Sequence, residues 1–133
     1  MKKNLKAFAA GFLSTLIFHQ GIIGLLFLAG LAPNPPYNMA PTTPFGVPNV
    51  VSLAFFGGLW GIVIWNLVAK EMGVKHWIKS ALFGAIGPTA VAFLVVFPLK
   101  GISVPMTMIP IALILNGAWG AGNSLFMKMM SRR

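Results

Sequence analysis

Lys70-Glu71-Met72-Gly73-Val74-Lys75-His76-Trp77-Ile78-Lys79 is the stretch on which the fold turns. It holds Glu71, the only carboxylate side chain in 133 residues, and three of the ten basic residues. On both sides the sequence is too apolar for water. No charged side chain lies between Lys6 and Lys70, between Lys79 and Lys100, or between Lys100 and Lys128. Hydrophobic residues make up 57% of the chain and charged residues 8%, against about 45–50% and about 25% in soluble domains. A soluble domain of this size leaves much of its surface exposed and could not hide so much uncharged sequence. The expectation is an all-α polytopic membrane protein, with 70–79 as a cytoplasmic loop between two hairpins.

A spanning helix needs about 20 apolar residues. Four stretches supply them: Ala7–Leu31, Val50–Ala69, Trp77–Phe97 and Pro105–Met127, forming a single membrane domain. Counting lysine and arginine orients them. With the N-terminus inside, the inner set is Lys2, Lys3, Lys6, Lys70, Lys75, Lys79, Lys128, Arg132 and Arg133, and the outer set is Lys100 alone. That bias places both termini in the cytoplasm. The basic start resembles a signal peptide, but its apolar run outlasts a signal core of ~7–15 residues. Retention as the first helix is expected.

The net charge of +9 can signal nucleic acid. Here it caps apolar spans, where it suits anionic lipid, so the expected partner is the bilayer and not nucleic acid. With no cysteine, disulfides, thiolate metal sites and cysteine catalysis are excluded. No cofactor or metal is expected; the clustered Met127, Met129 and Met130 read as packing, not a thioether copper site.

The outer connection 33–49 carries six prolines, Pro33, Pro35, Pro36, Pro41, Pro44 and Pro48, which rule out helix. Being uncharged, it is expected to lie along the headgroups or fold over the helix ends, with a lid over a cavity as its functional version. The second outer turn, 99–104, is short and makes helices three and four antiparallel neighbours.

Small residues recur four apart in every helix. Gly11 lies four from Ala7 and Thr15, Gly57 from Gly61, Gly58 from Ala54, Gly84 from Ser80, Gly117 from Ala121, and Gly120 from Ser124. Lipid is as apolar as leucine, so helices gain from contact where small side chains let backbones approach. The pattern predicts a bundle pinched towards its inner side. A faint repeat aligns Lys6–Gly11 with Lys79–Gly84 and Gly58-Leu-Trp-Gly61 with Gly117-Ala-Trp-Gly120, consistent with two parallel repeats.

Polar residues inside the spans are the site candidates: His19, Gln20, Thr89 and Asn116. His19 falls roughly 18 Å into its helix, and an intramembrane polar pair marks a functional site by default. The plainer role is a neutral His19 hydrogen-bonded to another helix, with Asn116 as partner. Asn116 and Asn123, seven apart on helix four, and Asn66 read as fasteners. Pro88 and Pro110 are expected to kink their helices. No acid pair serves carboxylate catalysis, and Ser14 with His19 makes a poor dyad without a Gly-x-Ser-x-Gly turn. The chain is not expected to be an enzyme.

Phe18-His19-Gln20-Gly21, Pro44-Phe45-Gly46-Val47-Pro48 and Gly57-Gly58-Leu59-Trp60-Gly61 resemble small uncharacterised inner-membrane proteins of bacteria, a resemblance covering the first half and implying no activity. Size and span number are also similar to small multidrug-resistance exporters. Those depend on a carboxylate in the first helix, which this chain lacks, so their function is not carried over. The expected role is a non-catalytic component of the bacterial inner membrane, acting by packing and by binding a second copy or another membrane subunit. The alternative is a small oligomeric transporter or channel with a polar path near His19.

Overall fold

The structure, a computed structural model, describes residues 1–132. Arg133, counted above in the inner charge set, lies outside the described residues. Four helices are each long and apolar enough to cross a membrane: α1 (Lys2–Leu28), α2 (Asn49–Val68), α3 (Gly73–Leu99) and α4 (Met106–Ser131). No strand occurs among the described residues; one isolated antiparallel bridge joins Pro41 and Pro48. The helices alternate in direction, with α1 packed between α2 and α4, and α4 between α1 and α3. The ends carrying Lys2, Lys70–Lys79 and Arg132 form a basic end; the opposite, proline end carries the 29–48 connection.

The decisive stretch is more helical than expected. Only Ala69–Met72 turns, and α3 begins at Gly73, so Val74–Lys79 form its first turns instead of a loop. Gly73, at φ +59°, takes the left-handed conformation that L side chains rarely adopt. Glu71 receives Lys79 and Lys75, which face back across the turn once they are wound into the helix. Periodicity could not reveal this, because charged residues on a short first turn look like loop.

The backbones meet where side chains are missing. A Cβ on Gly11 would overlap the Gly57 carbonyl, and one on Gly61 would lie 2.5 Å from Ala7 O. In the other hairpin, a Cβ on Gly84 would lie 2.7 Å from Gly120 Cα, and one on Gly120 would overlap Ser80 O. The two hairpins thus cross at the positions the internal repeat aligns. Gly58 is roofed by the Phe8 ring, whereas Gly117 makes ordinary contact with Ala85. Gly122, which four-residue spacing did not single out, admits Phe18 and Ser14 between α1 and α4.

Two helices depart from α geometry. α1 widens into a π turn at Thr15–His19, and α3, which holds Pro88, does so at Ala92–Val96. Pro110 does not kink α4. It stands in the first α turn after a 3-10 turn at Met106–Met108, where a missing N–H costs nothing.

The proline connection neither lies flat nor merely tops the helices. It runs back beside α1: Pro36 packs over Gly24, the Tyr37 N–H donates to Gln20 Oε1 at 2.7 Å, and the Tyr37 hydroxyl donates to Leu16 O at 2.7 Å. Leu16 is twelve residues before the end of α1, about 18 Å along its axis. The connection descends because α2 starts low. Its first N–H groups, on Asn49 and Val50, donate to Ala40 O and Asn38 O, so the loop supplies the acceptors a helix N-terminus lacks.

Candidate functional site

The polar side chains gather in a seam at the basic end, where α4 passes between the other helices. Three rows of α4 face three partners. Asn116, Gly120 and Ser124 look towards α3; Trp119, Gly122 and Phe126 towards α1; Asn123 reaches α2.

His76 is the centre of the seam. It is 1% exposed, placed there by the early start of α3. Its Nδ1 lies 3.0 Å from Val68 O, the last residue of α2, and its Nε2 lies 3.0 Å from Ser124 Oγ. A carbonyl only accepts, so Nδ1 carries a hydrogen and His76 caps the C-terminus of α2. Ser80 Oγ stands 2.7 Å from both Gly120 O and Ser124 Oγ. With a neutral imidazole, Ser124 donates to Nε2, and Ser80 shares its single hydrogen between its two acceptors. The rings of Trp65 and Trp77 lie edge-on to the imidazole, with centroids 5.6 and 5.7 Å away. One histidine therefore joins α2, α3 and α4.

A second group joins α1 to α4. Ser14 Oγ donates to Trp119 O at 2.7 Å, and Trp119 Nε1 donates to Gly11 O at 3.0 Å. Asn123 Nδ2 approaches Gly61 O at 3.3 Å. Two atoms of the seam are buried without a partner, Trp65 Nε1 and Asn123 Oδ1. Each costs about 1–3 kcal/mol.

Serine beside histidine invites a nucleophilic reading. Ser124 and His76 are 0% and 1% exposed, which leaves neither side chain a surface for substrate. Ser14, set aside above as a poor dyad partner for His19, turns its hydroxyl to Trp119.

No family model, curated protein or solved structure matches this chain.

The four polar residues singled out in the sequence divide into two separate pairs. Gln20 Nε2 lies 3.3 Å from His19 Nδ1, and Gln20 is 2% exposed, covered by the proline connection. Asn116 Nδ2 donates to Thr89 Oγ1 at 2.9 Å. The expected His19–Asn116 bond is not made: α4 turns Asn116 to α3 and gives Trp119 and Gly122 to α1. None of these four residues lines the groove of Lys6, Leu13 and Phe126 or the cleft of Phe93, Phe97 and Ile111. Asn66, on the surface, approaches Asn4 across the α1–α2 pair at 3.5 Å and donates to Ile62 O.

The methionines do not converge. Met127 is core, while Met129 is exposed. Lys128 sits 5.6 Å from the Trp77 ring centroid. The Glu71 carboxyl is held below the usual carboxylate range, first by the hydrogen bond from Lys79 and then by that from Lys75.

Proposed function

We propose that this chain is a multi-pass protein of a bacterial cytoplasmic membrane, with both ends in the cytoplasm, and that it works as a non-catalytic component through packing and partner binding. The observation carrying this is where the polar groups go. His76, Ser80, Ser124, Ser14, Trp119, Asn116 and Thr89 each fasten one helix to another, and Gln20 is 2% exposed and bonded to the Tyr37 backbone. A transport path would instead keep such groups on a wet wall. The apolar outer surface, with Phe55 and Phe56 about half exposed, needs lipid, a second copy or another membrane subunit to cover it.

Orientation and role are tested together. Reporters fused after Glu71 and after Phe45 are expected on the cytoplasmic and external sides respectively. Crosslinking in mild detergent is expected to capture a stoichiometric second copy or membrane subunit. The transport alternative would win if His19→Ala abolished a proton or solute flux while leaving abundance and thermal stability unchanged.

A further inference from the structure

A groove of about 470 Å³ opens between α1 and α4 at the basic end and is lined by Lys6, Leu13, Phe126, Met129 and Met130. Its wall is apolar except at one place. Lys6 Nζ donates to Met130 O at 2.8 Å, which holds the ammonium at the edge of the groove with hydrogens to spare. Leu13 lies seven residues along α1, about 10 Å from the level of Lys6. The groove therefore has a cationic mouth and an apolar length.

Two further lysines stand near the mouth on the same helix. Lys2 and Lys3 precede Lys6 by four and three residues on α1, which puts all three on one side of the helix. Among the described residues the only carboxylate side chain, Glu71, is engaged by Lys75 and Lys79 in the α2–α3 turn and not by these three lysines. Lys128 is stationed over Trp77. Three cations beside an apolar cleft match an amphiphile with an anionic head and a hydrocarbon tail.

We propose that this groove binds one anionic phospholipid, its phosphate on Lys2, Lys3 and Lys6 and an acyl chain against Leu13, Phe126 and Met129. The proposal rests on the membrane reading above and adds a specific lipid class and site to it. Juxtamembrane lysines attract anionic headgroups over a short range, and the cleft gives one lipid a fixed place.

The test uses the full chain in neutral detergent, with bound lipid counted by native mass spectrometry and thermal midpoints read in parallel. Dioleoylphosphatidylglycerol should be retained and raise the midpoint, and dioleoylphosphatidylcholine should do neither. Lys2→Gln and Lys3→Gln should each weaken phosphatidylglycerol retention roughly fivefold. Lys70→Gln, at the same end but away from the groove, should leave it unchanged. Leu13→Trp fills the cleft without touching a lysine and should abolish retention. Equal retention of the two lipids, equal losses in Lys70→Gln and Lys2→Gln, or full retention in Leu13→Trp would each overturn the site. So would complete competition by glycerol phosphate, which would reduce it to a headgroup contact. A chain that stays monodisperse in plain buffer would instead sink the membrane reading; a membrane-integrated chain without lipid preference sinks only this inference.

Discussion

The basic half and the proline half of the bundle are held together by different means. Towards the basic end, glycine meets backbone at both hairpin crossings, and His76, Ser80, Ser124, Ser14 and Trp119 are buried and bonded between helices. Towards the proline end few residues are buried: Gln20, Val50, Thr89 and Leu115. A cleft of about 240 Å³ opens there among Pro33, Phe93, Phe97, Met108 and Ile111. One half is fixed by close approach and hydrogen bonds. The other is tied mainly by a folded-back loop. In lipid, where burying apolar surface drives little, close packing and interhelical bonds carry association. The basic half should therefore set the stability of the whole.

The strongest way to break that contrast is to add side chains. Gly120→Leu, and independently Gly11→Leu, must push backbone from backbone and should cost at least about 3 kcal/mol, read as loss of the monodisperse species in detergent. Gly21→Leu, which has nothing within 4 Å of its Cβ position, should be tolerated. Equal losses at Gly21 and Gly120 would erase the distinction. Next comes His76→Phe, which keeps bulk but leaves Ser124 Oγ and Val68 O one bond short. A loss of about 1–3 kcal/mol is expected, as a lower thermal midpoint.

Tyr37→Phe sharpens the other side of the comparison. Removing the hydroxyl from Leu16 O should cost about 0.5–1.5 kcal/mol. Hydrogen exchange should speed up at Asn49 and Val50, with little change at Gly61 or Gly120. The smallest effect belongs to Glu71. Because its carboxyl is held low by Lys79 and Lys75, the pairing is complete at neutral pH and is lost as pH falls through the depressed value. Exposed pairs contribute little, so Glu71→Gln should leave the midpoint at pH 7 unchanged and should remove whatever small decline the native chain shows on acidification.

Four long apolar helices were legible because the charges fall in a few short stretches and leave uncharged runs of spanning length between them. Gly11, Gly57, Gly61, Gly84 and Gly120 could be picked out because close approach requires only an absent side chain, and the four-residue spacing records that absence. His76 could not. It sits among lysines, and the same tetrad of charges reads equally well as solvated loop or as the first turns of a helix. Only the backbone path, with Gly73 turning into α3, swings its imidazole into the core. Gln20 failed in another way. Its depth was evident, but its partner is the Tyr37 backbone, brought down by a loop whose descent depends on the starting level of α2. Asn116 was given the wrong neighbour, because a seven-residue spacing on α4 does not say which of three flanking helices each residue meets.

The low start of α2 has a further consequence. It is a 20-residue helix among neighbours of 26 and 27, about 10 Å shorter at 1.5 Å per residue. Set in a hydrocarbon layer of about 30 Å, α2 would match its thickness and the rest would exceed it, a mismatch that leaning of the longer helices would take up. In a membrane the chain would therefore have a thick flank and a thin flank, and a layer that thickened would first stretch past α2, at the side where the loop takes the place of its missing turns.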